Sequence, residues 1–263
     1  MDLKIDGRVA LVCGSSSGLG LAIAEALAAE GCRVALNGRD RARLDRAVER
    51  VAASATREVA GFAADVSRPD AVEALVADVT ARFGQLDILL CNAGGPPATS
   101  FRAAPAESWQ SAVDLNLLST VNLCRAAVPG MRERGWGRIV CLTSVAAKQP
   151  LGDLILSTTA RAGVVGFAKA LADEVAPDGI TVNTILPGYM RTDRVQELLQ
   201  QRAATLAESP ETIHQRLVAN IPMRRMGEPA ELAAVVAFLV SGPASYLTGA
   251  AIQIDGGFIR NIL

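Results

Sequence analysis

The stretch VALVCGSSSGLG, from Val9 to Gly20, decides the fold. Its first five residues form a continuous apolar run, which is typical of a parallel strand covered on both faces. Gly14 and Gly18 follow, and the segment Gly18–Glu30 predicts a helix directly after the strand. A glycine turn at this junction lets the backbone approach a pyrophosphate, and the helix N-terminus adds N–H donors. The stretch therefore favours a dinucleotide-binding turn over a plain tight turn.

Outward from this stretch, short apolar runs alternate with amphipathic ones. The predicted strands are Val9–Cys13, Arg33–Asn37, Val59–Asp65, Asp87–Cys91, Gly137–Thr143, Ile180–Ile185 and Ala251–Asp255. The predicted helices are Gly18–Glu30, Arg41–Ala53, Pro69–Phe83, Glu107–Arg134, Leu156–Ala176 and Pro229–Ser241. We expect Ser67 to cap the third helix, with Pro69 in its first turn. This order predicts an α/β Rossmann fold: one domain with a doubly wound parallel sheet of about seven strands and helices on both faces.

Composition excludes several classes of function. The chain has 263 residues, half of them apolar, and a formal net charge of −1. It carries no basic run of the kind that binds nucleic acid, and no apolar stretch long enough to span a bilayer. The N-terminus lacks the apolar core of an export signal, so we expect a cytoplasmic protein.

The five cysteines predict neither a metal site nor a redox pair. Cys13, Cys32, Cys91, Cys124 and Cys141 form no CxxC motif, and the single histidine, at position 214, completes no Cys/His cluster. We interpret them as buried reduced thiols, with a catalytic thiol as a remote alternative. No metal is expected.

The segment Arg191–Asn220 breaks the alternation, because it is long, polar and without a predicted strand. An insertion at this place, after the carboxyl end of a strand, could cover a substrate as a lid. A plain solvated helical excursion is the alternative, and His214 within the segment is most simply a surface residue.

Further motifs resemble those of the short-chain dehydrogenase/reductase family. They are Asn92-Ala93-Gly94 after the fourth predicted strand, Asn116 in a helix, Pro187-Gly188 after the sixth strand, and the ending Tyr246–Gly249 with Asp255–Gly257. The resemblance runs from about Gly7 to Gly257, and within the family the 3-oxoacyl-acyl-carrier-protein reductases look most similar. It implies that a nicotinamide dinucleotide is held by Gly14, Ser16, Ser17, Gly18, Leu19, Gly20, Asp65, Val66, Asn92, Ala93, Gly94, Arg161, Pro187, Gly188 and Thr192.

The end of the second predicted strand favours NADP over NAD. An acidic residue there would bind the ribose hydroxyls of NAD, but the matching position is Gly38. Arg39 follows at once and could pair with a 2′-phosphate, although it could also be an ordinary solvated arginine. Asp65 resembles the residue that contacts adenine in the family, and its alternative is a turn carboxylate.

The catalytic set of the family is only partly present. The resemblance implies a serine, a tyrosine and a lysine assisted by an asparagine, and Ser144 and Asn116 match the first and last of these. Ser157 stands where the tyrosine is expected and Arg161 where the lysine is expected. A serine hydroxyl is a far weaker acid than a phenol, so proton donation is impaired, whereas Arg161 could still hold ribose hydroxyls. Tyr189 or Lys148 could donate instead, although packing and a solvated amine are simpler interpretations.

Three functions remain open. The preferred one is an NADP-dependent oxidoreductase with a divergent active site, acting on a carbonyl or 3-oxoacyl substrate. The others are a cofactor-binding sensor or scaffold without turnover, and a non-redox enzyme on the same fold. The resemblance also implies a homotetramer or homodimer, and the apolar residues of the helix Leu156–Ala176 agree with a subunit contact.

Overall fold

The computed structural model describes residues 1–262. One sheet of seven parallel strands forms its centre, in the order β3-β2-β1-β4-β5-β6-β7. The strands are β1 Val9–Val12, β2 Arg33–Gly38, β3 Val59–Ala63, β4 Ile88–Cys91, β5 Gly137–Leu142, β6 Ile180–Pro187 and β7 Ala251–Ile254. The predicted Rossmann fold is confirmed.

Nine α-helices connect the strands of this part of the chain. They are α1 Gly18–Ala29, α2 Arg41–Ala52, α3 Pro69–Phe83, α4 Ala106–Val113, α5 Ser119–Glu133, α6 Ile155–Val175, α7 Asp193–Leu206, α8 Pro210–Ala219 and α9 Pro229–Leu239. None of the helices within residues 1–262 is long and apolar enough to cross a membrane.

The core has two halves, one on each face of the sheet. Val72 of α3, Leu123 of α5 and Val164 of α6 belong to one buried cluster. Ile23 of α1 and Val236 of α9 belong to the other. Burial on both faces explains why the central strands are continuous apolar runs. Strand order reverses between β1 and β4, so a crevice opens there at the carboxyl ends of the strands.

The prediction that Ser67 caps α3 is wrong. The N-cap is Arg68, and Pro69 begins the helix as expected. Ser67 instead belongs to the turn before the helix, where its N–H and its hydroxyl both donate to Oδ1 of Asp65, at 3.0 and 2.8 Å. This local turn also ends β3 at Ala63, so Asp65 lies beyond the strand instead of closing it.

The single helix predicted over Glu107–Arg134 is interrupted by a π-helical segment, Asp114–Leu118. Two hydroxyls that follow the segment bond back to carbonyls within it: the Thr120 hydroxyl donates to the carbonyl of Asn116, and the Ser119 hydroxyl donates to that of Leu115. Such bonds compete with the regular helical ladder. The widened turn carries Asn116, and π-bulges of this kind are frequent at functional sites.

The strandless segment Arg191–Asn220 folds as the helix pair α7 and α8. These helices share a small apolar cluster that includes Leu199, Ile213 and Leu217. Both are capped by side chains, since Thr192 accepts from the N–H of Val195 and Ser209 from that of Thr212. The pair is therefore a packed unit at the carboxyl ends of the strands.

Candidate active site

The glycine turn after β1 has little space for side chains. Gly14 and Gly18 both have a φ of +58°, in the left-handed region that favours glycine. A Cβ on Gly20 would clash with the carbonyl oxygen of Gly14. Asn92 braces the turn from β4, with its Nδ2 donating to the carbonyls of Cys13 at 3.1 Å and of Gly14 at 3.2 Å. Sequence alone did not predict this bracing role for Asn92.

Ser15 adds a second brace that the sequence analysis missed. Its hydroxyl donates to the carbonyl of Val12 at 2.7 Å and accepts from the N–H of Asn37 at 3.0 Å. The Asn37 side chain in turn donates to the carbonyls of Phe62 and Ala64. The sequence carried no local signal for this brace, because Asn37 lies 22 residues after Ser15. Both side chains are buried, and buried polar groups are almost always hydrogen-bonded.

A pocket of about 320 Å³ extends from this turn toward β5 and α6, and we call it the inner pocket. Most of the predicted site residues line it: Gly14, Ser17, Gly18, Leu19, Gly20, Asn92, Ala93, Gly94, Ser144, Arg161, Pro187, Gly188 and Thr192. Ser17 is the N-cap of α1 but makes no capping hydrogen bond with its side chain. The first N–H groups of the helix therefore remain available to an anionic group.

The predicted residues Ser16, Arg39, Asp65 and Val66 lie outside this lining, near the ends of β2 and β3. A Cβ on Gly38 would lie 3.1 Å from the Cβ of Ser16, so a larger residue there would require the Ser16 side chain to shift by a few tenths of an ångström. Arg39 is exposed and forms no ion pair within residues 1–262. Burial raises the pKa of Asp65, but hydrogen bonds from Ser67 and the charges of Arg39 and Arg68 outweigh it, so that pKa falls below its ordinary value. Asp65 is therefore a turn carboxylate within electrostatic reach of Arg39.

Ser144 lies where β5 ends and a short 3-10 turn begins. Its hydroxyl oxygen accepts from the N–H of Ala146 at 3.1 Å, which fixes the side chain at the wall of the inner pocket. Because this bond uses only an acceptor lone pair, the hydroxyl hydrogen is left to donate to a ligand.

Arg161 lies one turn after Ser157 on α6, and its guanidinium reaches across the inner pocket toward Gly95. Its Nε donates to Oδ1 of Asn116 at 3.2 Å. Burial, and secondarily the charge of Arg194, lowers the pKa of Arg161 to about 10, so it still carries its charge at neutral pH. Arg194 also lines the pocket and was missed; its position two residues after the cap of α7 was the available signal.

Ser157 is 6% exposed and lies in the first turn of α6. It does not belong to the lining of the inner pocket, and neither does Asn116, which stands behind Arg161. The structure thus brings Ser144 and Arg161 together at one pocket, supported by Asn116, with a buried aliphatic hydroxyl at the position expected for a phenol.

Tyr189 and Lys148, the two alternative proton donors, have different surroundings. Tyr189 lines the inner pocket and packs edge-on against Phe258, with 5.3 Å between the ring centroids. Lys148 is half-buried and donates to Oε1 of Gln253 at 3.3 Å, outside the lining of the inner pocket. Lys148 is therefore only partly solvated, and a hydrogen bond from its amine links the loop to β7.

The cysteines are buried and free, as predicted. Burial raises the pKa of Cys13 and of Cys32 to about 12, so neither is a thiolate at neutral pH. Within residues 1–262, no group of three His, Cys, Asp or Glu side chains could hold a metal ion.

Comparison with known proteins agrees with this architecture. A family model described as enoyl-(acyl carrier protein) reductase matches residues 14–259. The nodulation protein G of Azospirillum brasilense is 37% identical over 95% of this chain and 97% of its own. The 3-oxoacyl-[acyl-carrier-protein] reductase of Vibrio cholerae is 36% identical over 97% of this chain and 98% of its own.

Solved structures give the same result. That of L-sorbose reductase from Gluconobacter frateurii, complexed with NADPH and L-sorbose, has a TM-score of 0.95 at 36% identity and covers all of both chains. The chain therefore belongs to the short-chain dehydrogenase/reductase family of oxidoreductases, and within it is close to the 3-oxoacyl-acyl-carrier-protein reductases.

Proposed function

We propose that this chain is an NADP-dependent oxidoreductase that acts on a carbonyl or 3-oxoacyl substrate through a divergent active site. One observation carries the proposal: the glycine turn, Ser144 and Arg161 line the same pocket. In this proposal Ser144 and Arg161 are catalytic, Asn116 positions Arg161, and Ser157 occupies the place of the missing acid. The proposed substrate is a small molecule or an acyl thioester.

The residues around the pocket fit a nicotinamide dinucleotide. The turn excludes side chains at Gly14 and Gly20, where a pyrophosphate needs close backbone approach. The preference for NADP rests on Gly38 at the position of the acidic residue and on the exposed guanidinium of Arg39, which forms no ion pair within residues 1–262. Related proteins support it, because the solved L-sorbose reductase and actinorhodin polyketide ketoreductase structures contain NADPH.

The chemistry assigned to the protein is charge stabilisation. NADPH, when bound, would supply the hydride that reduces the carbonyl. The Ser144 hydroxyl donates to the carbonyl oxygen, and the charge of Arg161 stabilises the negative charge that develops there. Since Ser157 is too weak an acid to protonate that oxygen, the proton comes from solvent or from Tyr189. Losing a positioned general acid costs about 10²–10⁴-fold in rate. Slow turnover remains, because the positioning of the reactants contributes separately.

The decisive experiment restores the missing pair. NADPH consumption would be followed over a panel of carbonyl substrates, including a short 3-oxoacyl thioester, for the native protein and for Ser157→Tyr plus Arg161→Lys. We expect slow native turnover and a gain of about 10²-fold or more in the double variant. Arg161→Lys alone is the control, because it restores the lysine without the phenol, and thermal unfolding checks that each variant folds.

A second candidate is a cofactor-binding protein without turnover, and the burial of an aliphatic hydroxyl at position 157 favours it. It predicts tight NADPH binding with no native turnover on any substrate of the panel. Turnover only in the double variant would then mean that fold and pocket are competent and that this chain serves in binding. If the native protein turns over and the double change does not raise the rate, another residue donates the proton, and Tyr189 is the first to test.

We also propose that α7 and α8 form a substrate lid and that the chain assembles as a homotetramer or homodimer. Edge strand β7 supports assembly, because Ala251 is exposed and the other three residues are only half-buried. Tyr246 just before it is fully exposed. On α6, Val164, Ala168 and Ala172 are buried in the chain's own core, so the helix offers less apolar surface than its sequence suggests. A monomer in analytical ultracentrifugation would refute the assembly.

A further inference from the structure

A second and larger cavity adjoins the inner pocket. Its volume is about 1140 Å³, and it lies between the helix pair α7–α8, the loop 98–103, the turn 149–153 and the C-terminal segment around Phe258. We call it the outer cleft. Ala98, Tyr189 and Leu198 line both cavities, so a ligand can extend from one into the other.

The wall of the outer cleft combines apolar and cationic surface. Leu206, Ile213, Leu217 and Phe258 contribute apolar side chains. The charged side chains in the lining are three arginines and one acid: Arg202, Arg216, Arg260 and Asp153. The chain as a whole has a net charge of −1, so this excess of positive charge is local to the cleft.

The three arginines are not equivalent. Arg216 is held by Glu208 in an ion pair of 2.6 Å. Arg202, half-buried on α7, and Arg260, on the C-terminal segment, form no ion pair or side-chain hydrogen bond within residues 1–262. An unpaired guanidinium beside apolar surface presents a planar fork of donors that matches a carboxylate or a phosphate.

We propose that the outer cleft is an anion site, in which Arg202 and Arg260 bind a terminal carboxylate or phosphate of an elongated substrate. The apolar wall contacts the middle of that substrate, and its carbonyl end reaches Ser144 through the shared boundary at Tyr189. This inference deepens the proposed function and rests on it for the position of the carbonyl. Ser144 and Arg161 select the reacting group, whereas the lid selects the far end of the molecule.

The test compares charged ligands with matched neutral ones. Calorimetry would measure binding to the NADP⁺-loaded protein, which cannot reduce the probes, of methyl-ketone carboxylates with progressively longer chains, each paired with its methyl ester. Acetoacetyl-4′-phosphopantetheine would be compared with acetoacetyl-pantetheine, which lacks only the phosphate. We expect the best carboxylate, or the phosphorylated thioester, to bind about tenfold more tightly than its neutral partner, and this preference to shrink as salt rises. The first pair reports a carboxylate and the second a phosphate.

Arg202→Gln and Arg260→Gln should each reduce the preference for the anion several-fold and leave binding of the neutral partner unchanged. Arg46→Gln is the matched control, because Arg46 is exposed on α2, away from the cleft, and should keep the preference intact. Equal binding of charged and neutral partners, no binding of any anionic probe, or a preference that survives both cleft substitutions would overturn the proposal. NADPH consumption is measured separately, so an anion preference without turnover supports the cleft and removes the proposed oxidoreductase.

Discussion

The turn between β1 and α1 and the first turns of α6 both contribute residues to the inner pocket, and they differ in which of the family's residues they retain. At the turn, the glycines that a dinucleotide needs are in place and braced by Asn92 and Ser15. On α6, the helix is intact, but Ser157 and Arg161 stand where the family resemblance implies tyrosine and lysine. The comparison teaches that the backbone of the turn and the side chains of α6 can vary independently in this fold.

The two regions differ because one depends on backbone and the other on side chains. The turn needs left-handed φ values and close approach, so a substitution there changes the course of the chain. Ser157 and Arg161 are carried by a regular helix with no special backbone requirement, so replacing them leaves the fold unaltered. Side chains on α6 can therefore change while the backbone of the glycine turn stays the same.

The largest expected effect breaks the turn. In Gly20→Ala, the added methyl clashes with the carbonyl of Gly14 and approaches Nδ2 of Asn92 to 3.0 Å. We expect NADPH affinity to fall by about a hundredfold or more, because the backbone can no longer approach the pyrophosphate. Overpacking should also cost about 1–3 kcal/mol of stability. Fluorescence titration with NADPH and thermal unfolding measure the two effects.

Gly166→Ala provides the contrast, since a Cβ at Gly166 on α6 would meet no atom within 4 Å. Its NADPH affinity should equal that of the native protein. If Gly20→Ala also bound NADPH normally, the close approach of the backbone at the turn would not be what holds the cofactor.

A smaller effect on NADPH binding is expected at Arg39, which would contact the 2′-phosphate at the adenosine end of the cofactor. Arg39→Gln removes the exposed guanidinium beside the end of β2 and leaves the turn and α6 untouched. We expect NADPH to bind about tenfold more weakly, as one charge-assisted contact to the 2′-phosphate is lost, and NADH affinity to stay constant. Parallel titrations with both nucleotides measure it. An equal loss for both would assign Arg39 a structural role instead.

Features that are local in sequence could be predicted, and contacts between distant residues could not. The succession of strands and helices along the chain and the glycine turn could be predicted because they depend on runs of apolar residues and on glycine spacing, which are local in sequence. The braces made by Ser15 and Asn92 could not, since each joins residues far apart in the chain. The π-helical segment at Asn116 was also missed, because apolar periodicity does not reveal an extra residue in one helical turn.

The outer cleft was beyond prediction for a further reason. Its lining comes from separate segments of the chain, and within α7 and α8 the ion pair with Glu208 distinguishes Arg216 from Arg202. The polar segment without predicted strands did not reveal which of its charged side chains would form ion pairs. Ion pairing depends on side-chain geometry, which spacing along a helix constrains only weakly.

The smallest expected effect concerns pH and tests the α6 side directly. In the native protein, Ser157 does not titrate, and Arg161, with its pKa lowered to about 10, keeps its proton at neutral pH. The pair should thus add no ionisation to the profile of kcat/KM between about pH 6 and pH 9, and activity should fall only as the pH rises through the pKa of Arg161. In Ser157→Tyr plus Arg161→Lys, a phenol beside a cation should titrate at lower pH than an ordinary tyrosine and add an ionisation to the profile. If the native profile instead shows an ionisation near neutrality, and Tyr189→Phe abolishes it, Tyr189 is the proton donor. General acid catalysis would then have moved from position 157 to Tyr189.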